Sequence, residues 1–253
     1  MQISAVIIAG NEEAKIARAI RSVAWADEVL VIDSESADRT ADISSELGAR
    51  IIVRPWPGFS AQKQFGVNEA SYDWIFSLDA DEQVSPELRT EIEALRLNGD
   101  ASGASGYRIP RLSVYMGREI RHSGWYPDWQ LRLFDRRRGR WSESIIHESV
   151  TMDDGARLQK LNGNISHYSV DDAAQHHEMI ISRYAPLAAR QMFDRGARTS
   201  AAKVMFVGPI AFVSSYFLSL GFLDGFPGFC IAKFAAHHAF LKHLLLWEMQ
   251  NQR

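Results

Sequence analysis

Trp74-Ile75-Phe76-Ser77-Leu78-Asp79-Ala80-Asp81-Glu82 decides how this chain folds, because a short apolar run breaks into three carboxylates within four residues. The apolar part reads as a buried strand, Trp74 to Leu78, and the acidic part as the loop at its carboxyl end. The same arrangement occurs twice upstream. Ile3 to Ala9 reads as an apolar run rich in β-branched residues leading into Gly10-Asn11-Glu12-Glu13, and Glu28 to Ile32 ends at Asp33, a few residues before Asp38. Helical patterns lie between. Glu12 to Trp25 places Ile16, Ala19, Ile20 and Val23 on one face, and Asp38 caps a second helix that stops at Gly48. A third short strand over Ile51 to Val53 and a helix over Ser60 to Ala70 precede the quoted stretch. Ser85 and Pro86, as N-cap and first helical residue, then open a helix to about Leu97. This alternation through the first hundred residues predicts an α/β domain with a mostly parallel sheet and helices on both faces. Ligands in such sheets bind beyond the carboxyl ends of the strands, which gathers Gly10 to Glu13, Asp33 to Asp38 and Asp79 to Glu82 at one edge.

Composition bounds the rest. In 253 residues, 46% are hydrophobic and 23% charged, a globular balance that excludes global disorder. One large domain, or a smaller one with an appendage, fits the length. The single cysteine, Cys230, excludes an internal disulfide and a cysteine zinc site, and a reducing compartment fits best. Met1 to Ala9 lacks a basic n-region and reads as a first strand, not a signal peptide. The net charge of −3 hides an asymmetry: the first hundred residues carry 18 acidic and 9 basic side chains, the remainder 13 and 19. Much of that excess is Arg108, Arg111, Arg118, Arg121, Arg132, Arg136, Arg137, Arg138 and Arg140. As a group they point to an anionic partner such as a diphosphate, a phosphorylated acceptor or a membrane surface, although any single one reads as solvated. No nucleic-acid module accompanies them, and no nucleic-acid partner is expected.

Beyond residue 100 the pattern changes to short strand candidates at Tyr107 to Ile109, Leu131 to Phe134 and Ile165 to Tyr168. Asp172 to Arg195 reads as a helix, kinked at Pro186 and ended by Gly196. Val204 to Leu223 is uncharged over 20 residues, long enough to qualify as a span. Gly208, Pro209, Gly221 and three serines interrupt it, however, and Asp224 follows, so a helical hairpin in the membrane interface or a core helix is expected instead. Phe229 to Met249 is helical and apolar.

Carboxylates one residue apart past a buried strand, Asp79 and Asp81, can hold a divalent cation and leave positions for diphosphate oxygens. Alone they also read as a solvated turn. Asp33 can accept from a pyrimidine imide or a ribose hydroxyl, or cap a turn. A dinucleotide site is excluded because Ala9-Gly10-Asn11-Glu12-Glu13 is not Gly-x-Gly-x-x-Gly and puts carboxylates where pyrophosphate would sit. A P-loop motif is absent as well.

Ile7-Ile8-Ala9-Gly10-Asn11-Glu12-Glu13, Val31-Ile32-Asp33-Ser34-Glu35-Ser36-Ala37-Asp38-Arg39-Thr40 and Leu78-Asp79-Ala80-Asp81-Glu82 resemble, in order and spacing, the opening of the inverting family-two glycosyltransferases. Gly124-Trp125-Tyr126-Pro127-Asp128 with Arg132-Leu133-Phe134, Ile146-His147-Glu148, and Gly221-Phe222-Leu223-Asp224-Gly225 resemble the lipopolysaccharide core β-1,4-glucosyltransferase subgroup. The resemblance implies a GT-A fold, a UDP-sugar donor and a divalent metal, magnesium or manganese. It implies that Asp33 binds the uracil and that the loop with Ala9, Asn11 and Glu13 borders the nucleotide. Lys63 would reach the nucleotide, or be a solvated helical lysine. Asp79 would lie near ribose and metal, and Asp81 would be the principal metal ligand. His147 would complete the metal shell or touch the acceptor. Arg132 would steady the leaving diphosphate, or sit in a structural ion pair.

Inversion needs a base for the acceptor hydroxyl. Asp128, in a loop with Trp125, Tyr126 and Trp129, is the expected one, with an arginine-paired turn residue as its alternative. His167, His176, His177, His237, His238 and His243 are expected to be structural or interfacial. The expected division is a catalytic domain over 1–170, with a nucleotide-sugar half at 1–100 and an acceptor half at 101–170, and a helical membrane-interfacial region over 171–253. The expected reaction moves a hexose, glucose from UDP-glucose, to a lipid-linked saccharide such as a core heptose. Its expected place is the cytoplasmic face of a bacterial inner membrane, peripheral or monotopic. The alternatives are another surface polysaccharide or lipid-carrier acceptor, or a nucleotide-sugar-binding protein without turnover. A nucleotidyltransferase would open with a glycine-rich basic loop, which Gly10 to Glu13 is not.

Overall fold

Strand β1 (Ile3–Ala9) is buried at all seven positions, which explains why all but Ser4 are apolar and the sequence does not alternate. The computed structural model to which it belongs describes residues 1–98, 103–142, 148–168, 170 and 172–252. After β1 come α1 (Ile16–Ser22), β2 (Glu28–Asp33), α2 (Thr40–Glu46), β3 (Arg50–Val53), α3 (Phe59–Glu69), β4 (Trp74–Asp79), β5 (Glu82–Val84) and α4 (Pro86–Asn98). They are followed by β6 (Gly106–Tyr115), β7 (Arg118–Glu119), β8 (Asp128–Asp135), β9 (Gly139–Trp141), β10 (Val150–Met152), β11 (Leu158–Lys160) and β12 (Ile165–His167). The last helices are α5 (Ala173–Met179), α6 (Ala185–Asp194), α7 (Ala201–Val213) and α8 (Gly225–Asn251).

Two compact units emerge, one of Met1–Arg111 with Asp128–His167, the other of Leu112–Pro127 with Tyr168–Arg253. In the first, the strand order is β3-β2-β1-β4-β8-β6-β12-β5, with β11 also paired to β6. Strands β1 to β4 are mutually parallel, and β8 runs antiparallel to both β4 and β6. This is the α/β fold expected from the alternation. Successive residues of β1 feed opposite cores, as the period of two requires: Ile3, Ala5 and Ile7 pack with Ile16, Ile20 and Leu78, while Val6 and Ile8 pack with Leu30, Val67 and Phe134. Helix α3 lies directly on that second face at Gly66, where an added Cβ would come within 2.5 Å of Val6. The close approach buries Lys63, one turn earlier on the same helix, to 3% exposure. Strand β6 is longer than the expected Tyr107 to Ile109 because Pro110 is accommodated opposite Trp129.

In the second unit Tyr115, Ile120 and Ile231 form a small core with Trp125. That packing explains why 112–127 groups with the helices, where a single cut at residue 170 was expected. Buried Asp224 ties this segment down, accepting from the backbone of Arg121 (3.2 Å) and His122 (2.9 Å), with His122 Nδ1 also 2.9 Å away. The expected helix over Asp172 to Arg195 is interrupted by a π-helical turn, Ile180–Tyr184. The wider turn precedes Pro186, which sits in the first turn of α6 where its missing N–H is harmless. Ala201–Leu218 is long and apolar enough to cross a membrane, and only 11% of it is buried. Leu220, with a left-handed backbone (φ 55°), ends that segment.

Candidate active site

The site residues below all belong to the first unit. The loop after β1 is laced to the loop after β2. Asn11 donates its backbone N–H to Ser36 Oγ (2.9 Å) and its side-chain oxygen accepts from the Ala37 backbone (2.8 Å). Glu13 donates to Asp38 (3.1 Å) and accepts from the Arg39 backbone (3.1 Å). These bonds hold Asn11 and Glu35 at φ 56° and 55°, a left-handed conformation that disfavours non-glycine residues and often marks a functional loop. Asp33 ends β2 with 1% exposure and caps the turn through Ser36, accepting from its backbone (2.9 Å) and its hydroxyl (2.6 Å). Ala9 is buried and closes β1 opposite Asp33.

At the end of β4 the carboxylates meet cations. Asp79 lies between Lys63 Nζ (2.8 Å) and Arg132 Nη2 (3.0 Å). Burial pushes the Asp79 carboxyl up, but the two charges and their hydrogen bonds outweigh it and hold the group well below the usual carboxylate range. Lys63 is therefore no solvated helical lysine: it is buried over the Trp141 ring and also approaches Glu148 Oε1 (3.6 Å). Arg132, 3% exposed, donates to Glu82 Oε1 (2.6 Å) as well. Burial lowers its pKa, and Glu82 and Asp79 more than restore it, so its charge is secure. Its Nε and Nη1 are buried with no partner among the described residues.

The chain of charges continues through Glu82, fully buried, to Arg111 (3.6 Å), and Arg111 grips Asp128 with Nε (2.9 Å) and Nη2 (2.7 Å) on Oδ2. Gln130 donates to the other oxygen (2.7 Å). Asp128, Arg111, Glu82, Arg132, Asp79, Lys63 and Glu148 thus alternate in sign across the carboxyl edge of the sheet. Sequence reading missed Glu82 and Arg111. The register of β8 against β6, Arg111 opposite Asp128, brings the latter in. His167, expected to be structural, faces Asp81, with Nε2 3.3 Å from Oδ2, because β12 pairs with β5 at Glu82. His147 lies outside the described residues.

The arginine run is mostly internally neutralised. Arg136 and Arg137 meet Asp73 and Asp135, Arg121 meets Glu119, and Arg138 donates to Ser105. Such pairing makes a stability prediction at Arg132. Arg132→Leu removes the nearer cation from buried Glu82, leaving only Arg111 at 3.6 Å, and should cost about 3 kcal/mol in urea unfolding. Asp79→Asn should also destabilise. Because the folded pKa of Asp79 is depressed, its contribution is complete above about pH 4 and is lost as pH falls further towards the folded value. The gap to wild type should therefore narrow only in acid.

Residues 4–153 match the model of glycosyl transferase family 2. An uncharacterised glycosyltransferase of Rickettsia typhi is 32% identical over 259 residues, covering 98% of this chain and 87% of the relative. The lipopolysaccharide core biosynthesis glycosyltransferase LpsC of Rhizobium meliloti is 32% identical over 251 residues, covering 95% and 90%. Among solved structures, the mannosyltransferase PcManGT of Pyrobaculum calidifontis, in complex with GDP-mannose and Mn2+, superposes with a TM-score of 0.50 at 16% identity, over 92% of this chain and 73% of that one. At that identity the likeness speaks to the fold alone. With the curled, mostly parallel sheet of the GT-A type and a family match that spans the whole chain of alternating charges, the protein belongs to glycosyl transferase family 2.

Proposed function

We propose that this glycosyltransferase moves a hexose, glucose in the first instance, from a UDP-sugar to a lipid-linked saccharide of the lipopolysaccharide-core type, with inversion. The single observation that carries the reading is the division of labour at the end of β4. Asp79 is already neutralised between Lys63 and Arg132, while Asp81 stands beside His167. On this reading Asp33 and the loop with Ala9, Asn11 and Glu13 border the nucleotide. Arg132, whose Nε and Nη1 have no partner among the described residues, would face the diphosphate. No three acidic, histidine or cysteine side chains gather as a metal site among the described residues; on this reading Asp81 and His167 would hold magnesium or manganese, with His147 as a further candidate and diphosphate oxygens completing the shell. Bound there, the metal would neutralise charge on the departing diphosphate. Asp79 is then a positioning residue for Lys63 and Arg132. Asp128 takes the acceptor proton.

UDP release measured over a panel of sugar nucleotides, with and without extracted core lipid, tests the proposal. Acceptor-stimulated release from UDP-glucose is expected, and equal release with and without acceptor from every donor would overturn it.

Membrane attachment at the cytoplasmic face belongs to the same reading. Met205, Phe206, Ile210, Phe217, Leu218 and Phe226 are each more than half exposed, the kind of exposed apolar surface that marks a membrane or protein contact. The protein should sediment with membranes and be released only in part by high salt. Complete recovery in the soluble fraction without detergent would refute the attachment.

A further inference from the structure

Beside α3 and the β9–β10 pair runs a groove of roughly 1050 Å3 that the charge chain touches only at Glu148. Phe59, Phe65 and Trp141 give it aromatic walls, and Arg54 and Arg140 give it two guanidinium groups. Arg111, Arg132, Arg136 and Arg137 all sit in ion pairs, but among the described residues neither Arg54 nor Arg140 does. The Arg54 guanidinium carbon sits over the Phe65 ring, 4.1 Å from its centroid. A guanidinium over an aromatic ring still carries N–H donors that can reach an anion. Glu148, the one carboxylate in the lining, is already drawn to Lys63. Trp141, 6% exposed, carries a buried indole N–H with no partner among the described residues. Such an orphaned donor is costly unless something accepts from it.

Aromatic faces and two guanidinium groups that have no ion pair among the described residues are the recognition chemistry of a sugar that bears an anion. We propose that this groove binds the acceptor through a phosphorylated sugar unit, with Arg54 and Arg140 on the phosphate and the rings against the sugar. The proposal rests on the transfer reaction above and names the class of its acceptor. Glu148 joins groove to reaction centre, since its other neighbour is the Lys63 that holds Asp79.

The test uses the full chain and four probes by titration calorimetry: a hexose 6-phosphate, the same neutral hexose, inorganic phosphate, and UDP. The hexose phosphate should bind about tenfold or more tighter than either the neutral sugar or phosphate alone, the scale of one charge-assisted contact. The double variant Arg54→Ala/Arg140→Ala should bring it to the neutral-sugar level, with UDP affinity unchanged. In 15N spectra the Trp141 indole resonance should shift with the hexose phosphate and not with phosphate alone. Neutral hexose binding as well as its phosphate, or a double variant that still binds the hexose phosphate as wild type does, overturns the groove assignment. So does a double variant that also loses UDP. Failure of wild type to bind UDP would instead overturn the donor reading, independently of the groove result.

Discussion

Asp81→Ala should lower turnover by about a thousandfold or more, because a metal-bound carboxylate holds several kcal/mol of transition-state charge stabilisation in place. The fold should survive. Asp81 is partly exposed at the carboxyl edge of the sheet, and its one ion pair among the described residues is with His167 at 3.3 Å. Chelation with EDTA should reproduce the loss in wild type, and added manganese should restore wild type but not the variant. His167→Ala should fall in the same direction and raise the metal concentration needed for half activity. Full activity of Asp81→Ala, or of wild type in EDTA, would remove the metal from the mechanism.

Asp128→Asn should lower kcat by about a hundredfold or more while leaving UDP affinity intact, as expected for loss of a general base. A carboxylate offers about four lone-pair sites. Arg111 takes Oδ2 with two donors and Gln130 takes one position on Oδ1, which leaves one site on Oδ1 for the acceptor proton. The amide keeps the shape and removes that basicity. Asp33→Ala should do the opposite, weakening UDP binding first, because a contact to the base or ribose is made alike in ground and transition states. Measuring UDP affinity and kcat for both variants separates the two roles. Near wild-type turnover by Asp128→Asn would move the base elsewhere, with Glu148 next in line.

Which parts of this were legible without coordinates follows from how local each signal is. The strands that end at Ala9, Asp33 and Asp79 announce themselves because parallel strands buried on both faces must be apolar throughout, and their polar termini then fall at one edge. Ser85-Pro86 likewise fixes the start of α4 through chemistry confined to one turn. Domain division was less legible. Residues 112–127 join the helices through contacts of Tyr115 and Ile120 with Ile231, more than a hundred positions away.

The sequence by itself determined the fold class, the family and the carboxylates at the sheet edge, since these depend on hydrophobic period and on short motifs of fixed spacing. Only the tertiary structure decided what each charged group faces. Lys63 looks like any helical lysine until Gly66 lets α3 settle onto β1 and buries it against Asp79. His167 carries no motif, and only the antiparallel register of β12 on β5 sets it beside Asp81. Arg111 was indistinguishable in sequence from a solvated charge, and Glu82, though part of the acidic segment after β4, carried no sign that it would be buried between two arginines. A charge's role depends on the sign and distance of its neighbours, and those are fixed by strand register and helix docking across many tens of residues, which no local pattern encodes.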